Sequence, residues 1–318
     1  MSPGPPSATG GARQPSSADA GGVDVSVVLP VHNEAGHIRT EVDRIRAALD
    51  ASPYRYELIL IDDGSTDESA QEIATLDDVQ VIRFPVNRGS GSARKVGTRA
   101  ARGRLVVWTD VDMSYPNDEI PNLVKELDQG FDQVVGARRT EQGTKRAARV
   151  PAKWLLRKLA TYLTDTRIPD LNSGLRVFRR DVALQYLYLL PRGFSCVTTI
   201  TMAFLANGYS VRYVPIDYFP RAGRSKFHWW ADTRRYLLQI VRMVLVYNPL
   251  RVFMPPAVLL LLAGVGKLAY DLVAYSFHVA ADTIVLLLVG GALGLLGLVA
   301  DLVVTLNKPR DEVDPAAL

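Results

Sequence analysis

The chain has 318 residues, of which 48% are hydrophobic and 22% charged, with one cysteine. At about 150 residues per domain this is roughly two domain-sized units, and the composition excludes a wholly disordered or collagen-like chain and a disulfide-stapled mini-protein. Thirty-seven Lys and Arg against 33 Asp and Glu leave +4, a mild excess that suits phosphate-bearing partners or an anionic membrane surface and is too small to indicate nucleic acid. Cys196 has no intramolecular disulfide partner and no Cys/His cluster has zinc spacing, so the chemistry falls to other side chains.

Residues 1–22 are rich in Pro, Gly, Ser and Ala and lack the apolar core of a signal peptide, which predicts a disordered tail. From Val25 onward, β-branched runs alternate with amphipathic stretches: VSVVLP, then Ile38/Val42/Ile45/Leu49, then YELILI, a polar helix, and VQVIRF. RLVVWT at 104–109 and DQVVGA at 132–137 continue the series, with a helix near Asp118 to Leu127 between them. This alternation predicts an α/β fold of βαβ units with a mostly parallel sheet. Residues 145–209 read as mainly helical around the loop DTRIPDLNSG, and YSVRYVPIDY returns to an extended pattern.

Between Trp229 and Tyr247, Trp230, Leu237, Ile240, Val241 and Val244 fall on one helical arc and Arg235, Gln239 and Arg242 opposite, as in an interfacial helix. Two apolar segments follow, about 252–271 and 281–304, each near the ~20 residues that span a hydrocarbon core. They predict a transmembrane hairpin. Arg234, Arg235, Arg242 and Arg251 precede it and Lys308 and Arg310 follow it, whereas residues 268–282 contain neither Lys nor Arg. The positive-inside rule then puts both termini in the cytoplasm. Lys267 and Asp271, four apart, are expected to pair or snorkel at the end of a span.

Chemistry-bearing residues collect at expected strand ends, where parallel sheets bind ligands. The first strand ends in LPVHNE, with Pro30, Asn33 and Glu34; the second ends in Asp62-Asp63-Gly64-Ser65-Thr66-Asp67, whose carboxylates suit a base or ribose and equally a turn and helix cap. Residues 87–95, NRGSGSARK, form a glycine-containing loop that either offers backbone NH groups and cations to phosphate or simply starts a helix. Thr109-Asp110-Val111-Asp112 closes an apolar strand. Two carboxylates of such a turn can converge on one hard divalent cation whose other positions are filled by water and diphosphate oxygens.

In order and approximate spacing, LPVHNE, DDGSTD, the glycine loop and DVD resemble the inverting family-two glycosyltransferases with a GT-A fold. GAR at 136–138, DLNSGLRVF at 170–178 and RAGRSK at 221–226, followed by a juxtamembrane helix and hairpin, resemble the polyprenyl-phosphate hexose synthases, including dolichyl-phosphate mannose synthase. The resemblance covers about residues 25–306. It implies that Pro30, Asn33, Glu34, Asp62 and Asp63 hold the donor nucleoside, that Asp110 and Asp112 bind Mg2+ or Mn2+ at the donor diphosphate, and that Arg138, Arg176, Arg221, Ser225 and Lys226 surround the donor and acceptor phosphates. Ser90 stands where many relatives have Lys, and Ser114 where they have Gln.

The resulting organisation is a tail at 1–22, a GT-A domain at 23–228, a juxtamembrane helix at 229–250, a hairpin at 251–306 and a cytoplasmic tail at 307–318. The expected activity is inverting transfer of one hexose from a UDP- or GDP-sugar to a polyprenyl phosphate at the cytoplasmic membrane face. The alternatives are a processive polysaccharide synthase and a catalytically inactive membrane scaffold. Sugar, nucleotide, polyprenol length and oligomeric state, a homo-oligomer included, stay open at this level.

Overall fold

The structure, a computed structural model, describes residues 22–139, 161, 168–193, 195–219, 249–274 and 279–306. The expected N-terminal tail up to residue 21, the amphipathic helix at 229–247 and the C-terminal tail from 307 lie outside the described residues. The chain falls into two compact units, residues 1–144 with 169–225 and residues 145–168 with 226–318.

The first unit is built on a seven-stranded sheet in the order β3-β2-β1-β4-β6-β5-β7. Its strands are β1 (Val25–Val31), β2 (Tyr56–Asp62), β3 (Gln80–Arg83), β4 (Leu105–Trp108), β5 (Gln133–Arg138), β6 (Arg176–Arg179) and β7 (Val211–Ile216). All neighbours pair in parallel except β6, which runs antiparallel to both β4 and β5. The sheet is therefore mixed and mostly parallel. β6 lies within residues 145–209, where the sequence pattern predicts mainly helix around a loop. Val177 and Phe178 are both fully buried, so this four-residue strand lacks the alternation that marks a half-exposed one.

Helices cover the sheet: α1 (Ile38–Asp50), α2 (Ser69–Ala74), α3 (Ser90–Ala100), α4 (Ile120–Leu127), α5 (Arg180–Tyr186) and α6 (Cys196–Ala206). The stripe Ile38, Val42, Ile45 and Leu49 of α1 is fully buried in one core with Val27, Leu29, Leu58 and Leu60. Each such side chain contributes roughly 1.5–3 kcal/mol through burial. The apolar helix α6 is buried almost all round, as expected of a helix hydrophobic on every face.

The described part of the second unit is an antiparallel pair, α7 (Leu250–Ala274) and α8 (Ala281–Leu306), each long and apolar enough to cross a membrane. Glycines bring the two helices together: Gly264 meets Leu287, Gly290 meets Leu261 and Gly297 meets Phe253. Small residues permit such close backbone approach where no water drives the helices together. Leu259, Leu262, Val273, Leu288 and Leu302 point outward and are exposed, a surface suited to lipid. Lys267 does pair with Asp271, at 3.2 Å, and also meets Asp282 at 3.1 Å. Asp271 further accepts the Thr283 hydroxyl and the Ala280 amide, so these polar groups tie the two helices together at the turn.

Candidate active site

The chain steps outward from β1 to β2 to β3 and then returns to lay β4 on the other side of β1. At such a switch point the loops leave in opposite directions and open a crevice. The β1–β2 ladder continues to Val31 and Asp62, whereas the β1–β4 ladder stops at Val28 and Trp108. Pro30, Asn33 and Glu34 thus sit at or beyond the end of β1, Asp62 and Asp63 at the end of β2, and Asp110 and Asp112 just beyond β4. The antiparallel β6 begins with Arg176, and β5 ends with Arg138, at this same edge.

The loops after β1 and β2 brace each other. Asn33, in the left-handed region at φ 56°, accepts the Thr66 amide at 2.8 Å and donates its own amide to Ser65 Oγ at 3.2 Å. The Glu34 amide donates to Ser69 Oγ at 2.9 Å, and Asp67 and Glu72 take the amides of Ala35, Gly36 and Arg39. These oxygens satisfy the open NH groups entering α1. Burial alone would raise the Asp67 carboxyl, but the bonds from Ser69 and Ala35 outweigh it and hold it below its ordinary value.

Asp62, the last residue of β2, and Asp63 just after it are both buried. Asp62 accepts the Ser65 amide and Arg83 Nε, each at 2.9 Å. Asp63 accepts the amides of Arg88 at 2.6 Å and Gly89 at 2.8 Å. The next amides of the glycine loop, those of Gly91 and Ser92, go to the Arg192 carbonyl. A Cβ on Gly91 would lie 2.2 Å from the Pro191 carbonyl oxygen, so the glycine permits close backbone packing. Of the two readings left open for this loop, a helix start fits better than a phosphate cradle, because the amides of Arg88, Gly89, Gly91 and Ser92 already have protein acceptors.

The D-x-D turn is held from below. Arg94, fully buried on α3, donates Nη2 to Asp110 Oδ1 at 2.6 Å and lies 5.7 Å above the Trp108 ring. Burial opposes its charge most strongly, but Asp110, Cys196 and Tyr115 together outweigh it and raise the guanidinium above its usual value. Asp112 is buried and accepts both the amide and the hydroxyl of Ser114. Ser114 therefore orients a carboxylate. Beside Asp110, Gly174 leaves room that a Cβ would fill at 2.8 Å from Asp110 Oδ2, and its amide donates to the buried Tyr115 hydroxyl at 2.6 Å.

A second support comes from α1. Asn117, fully buried, donates to Glu41 and, at 3.2 Å, to the Asp110 carbonyl, and accepts the Thr109 hydroxyl. Burial raises the Glu41 carboxyl, with the Asp112 charge adding to it against the opposing contacts of Asn117 and Arg44. Arg94, Glu41, Asn117 and Tyr115 were not among the expected site residues. The available signal was a charge on an otherwise apolar helical face: Glu41 interrupts the stripe Ile38/Val42/Ile45/Leu49.

On the β5 side, Arg138 forms a two-pronged pair with Asp170, at 2.7 and 2.9 Å, and stacks 5.2 Å from the Tyr218 ring. Arg176 is fully buried, donating to the Val197 and Ser173 carbonyls and to Thr201 Oγ1. Among the described residues it meets no carboxylate, and burial pulls its guanidinium down to about 10. Its Nη1 and Nη2 bind protein oxygens while Nε has no hydrogen-bond partner, so among the described residues its contacts order α6 and the loop before β6. Arg221, Ser225 and Lys226 lie outside the described residues.

The Arg138–Asp170 pair sets a pH dependence. Burial would raise the Asp170 carboxyl, but the hydrogen bonds and charge of Arg138 and the Asn172 amide hold it below its ordinary value. A depressed carboxylate contributes stability that is full above the unfolded value of about 3.9 and is lost as pH falls through the folded value. Asp170→Asn should therefore be destabilised relative to wild type at pH 7, with the difference shrinking below about pH 4. Urea titrations at both pH values check this; an equal difference at both would exclude the ion pair as its source.

Residues 26–187 match the family model described as Glycosyl transferase family 2, and residues 248–306 match the GtrB C-terminal hairpin. An undecaprenyl-phosphate 4-deoxy-4-formamido-L-arabinose transferase of Proteus mirabilis is 32% identical over 274 residues, covering 85% of this chain and 78% of the relative. The chain belongs to glycosyl transferase family 2. A relative of the same description from Shewanella sediminis is 36% identical over 198 residues, 61% of this chain and 57% of its own length. Among solved structures, glucosyl-3-phosphoglycerate synthase from Mycobacterium tuberculosis in complex with phosphoglyceric acid superposes with a TM-score of 0.57 at 25% identity, covering 70% of this chain and 80% of that one. The same enzyme in complex with Mn2+, UDP and phosphoglyceric acid gives 0.56 at 24% identity, covering 70% and 78%. The GT-A fold is thereby shared.

In this glycosyltransferase, the carboxylates at the D-x-D turn suit a divalent cation whose remaining positions are filled by other oxygens. Among the described residues no group of three or more His, Cys, Asp or Glu could hold a metal by itself. Asp110 nevertheless keeps Oδ2 beside the space left by Gly174, while Arg94 fixes Oδ1. A hard ion bound through one or two carboxylates and completed by phosphate and water oxygens matches that donor set.

Proposed function

We propose that the chain transfers a single hexose, with inversion, from a UDP- or GDP-sugar to a polyprenyl phosphate, at the cytoplasmic face of a membrane that its hairpin enters. The observation that carries this reading is one chain that joins a switch-point crevice, flanked by Asp62 and Asp63 on one side and Asp110 and Asp112 on the other, to two membrane-length helices. A soluble donor and a lipid acceptor account for both parts. The names of the Proteus and Shewanella relatives support an undecaprenyl-phosphate type of acceptor, and the Lys and Arg flanking the spans support the cytoplasmic orientation.

Pro30, Asn33, Glu34, Asp62 and Asp63 frame the nucleoside side, with Asp63 holding the glycine loop and Asn33 locked to Thr66 and Ser65. Mg2+ or Mn2+, held by Asp110 and Asp112, would supply positive charge against the diphosphate that leaves. Arg94 and Ser114 set the two carboxylates in place before substrate arrives, which is where preorganised electrostatics gains its effect. The acceptor phosphate is ionised at neutral pH and attacks the anomeric carbon without a strong general base, so positioning dominates. Arg138, Arg221, Ser225 and Lys226 provide the cationic seat for phosphate, arginine gripping it through two nitrogens.

The acceptor assignment is tested by offering polyprenyl phosphate and the free polyprenol to the full-length enzyme. Label should enter only the phosphate-bearing lipid, and Lys226→Ala or Arg221→Ala should raise its apparent KM or lower kcat. Efficient glycosylation of the free alcohol would overturn the phosphate seat.

A further inference from the structure

Beside a stripe where an aliphatic side chain would be buried at no electrostatic cost, α1 carries a carboxylate: Glu41 is fully buried next to Ile38, Val42 and Ile45. A buried carboxylate is costly unless it is bonded. Glu41 Oε2 accepts Asn117 Nδ2, and the same nitrogen reaches the Asp110 carbonyl at 3.2 Å. Asn117 Oδ1 takes the Thr109 hydroxyl. One side chain of α1 is thus tied, through a single asparagine, to the two residues that begin the D-x-D turn.

Arg44, one turn further along α1, fastens the other end of the segment. It donates to the Tyr115 carbonyl at 3.4 Å and to Asp118, and its Nη1 lies 3.6 Å from Glu41 Oε1. Beyond the turn, Met113 adopts φ 61°, a backbone state that surrounding contacts must hold. The segment from Thr109 to Asp118 is therefore clasped at both ends by one helix.

We propose that Glu41 and Asn117 form a buried relay that presets the Asp110–Asp112 turn for its divalent cation, which makes Glu41 a positioning residue of sugar transfer. The proposal rests on the reading of Asp110 and Asp112 as the carboxylates that meet the cation at the donor diphosphate. Partners that orient metal-binding side chains in this way typically change metal affinity or activity by about 10–100-fold when removed.

The test uses the full-length protein and measures Mn2+ affinity by electron paramagnetic resonance, in the presence of UDP or GDP, whichever the wild type binds. Glu41→Leu and Asn117→Leu should each raise the Mn2+ Kd about tenfold or more. The double variant should be no worse than either single one, because the two residues act as a unit. Glu41→Gln, which keeps an oxygen for Asn117, should stay within about threefold of wild type. Hydrogen exchange of the amides at 110–114 in the metal-free protein should accelerate in the Leu variants and not in Glu41→Gln. Should the Leu variants fail to fold, Thr109→Val removes only the hydroxyl that Asn117 accepts, and it should raise both the Kd and the exchange rate. Wild-type affinity and exchange in the folded variants, or single effects that multiply in the double variant, would overturn the relay. A wild type that takes up no Mn2+ would instead overturn the reading of Asp110 and Asp112.

Discussion

Asp112→Asn is expected to leave the fold intact while lowering kcat/KM for sugar transfer by about 10²–10³-fold, or about 2.7–4 kcal/mol of transition-state stabilisation. The exchange is nearly isosteric, and Asn can still offer an oxygen to the Ser114 amide and hydroxyl that now bind Asp112. What it removes is one of the two negative charges that attract a divalent cation to the donor diphosphate. Higher Mn2+ should recover part of the rate, since the defect is then partly one of occupancy. Initial rates across a Mn2+ titration, with circular dichroism to confirm the fold, check this. Activity within a few-fold of wild type at low Mn2+ would remove Asp112 from the metal assignment.

The largest stability effect is expected at Arg94. Its side chain is 2% exposed and makes an ion pair at 2.6 Å with Asp110, whose side chain is 26% exposed. Removing one partner of a buried pair typically costs about 3–5 kcal/mol, and Arg94→Leu also loses the stacking over Trp108. For a domain of this size that corresponds to a fall in Tm of roughly 6–20 °C. Arg94→Lys keeps the charge and loses the planar fork, so its loss should be smaller. Differential scanning fluorimetry of the two variants decides the matter. Equal, small shifts of a degree or two would mean that Asp110 is held by something else.

The parts of the fold legible in the sequence were those whose patterns repeat. The βαβ alternation, the α1 stripe and the two apolar spans follow from periodicity, because each element buries one face, or all faces, along its whole length. β6 was not legible: a four-residue strand whose first three residues are all buried carries no period, and its place beside β4 is decided by long-range pairing. The site divides along the same line. Acidic residues at strand ends were visible as motifs, whereas what each carboxylate binds was not. Asp63 spends its oxygens on the amides of Arg88 and Gly89, and Arg176 turns inward to the carbonyls of Ser173 and Val197. The first outcome depends on a loop 25 residues away, and the second in part on the helix α6, 21 residues away. Glu41 and Arg94 form the intermediate class, since a charge on an apolar helical face marks a buried partner without naming it.

The central claim, transfer of one hexose to a lipid phosphate, is tested most directly by incubating the full-length protein in detergent with polyprenyl phosphate, Mn2+ and a panel of UDP- and GDP-sugars. The lipid product is then analysed by mass spectrometry and NMR. The account predicts one organic-soluble product from one class of donor, a phosphodiester carrying a single hexose whose anomeric configuration is opposite to that of the donor. Formation of longer glycan chains, retention of configuration, or no transfer to phosphate-bearing lipid from any donor while nucleotide sugar is bound would contradict it.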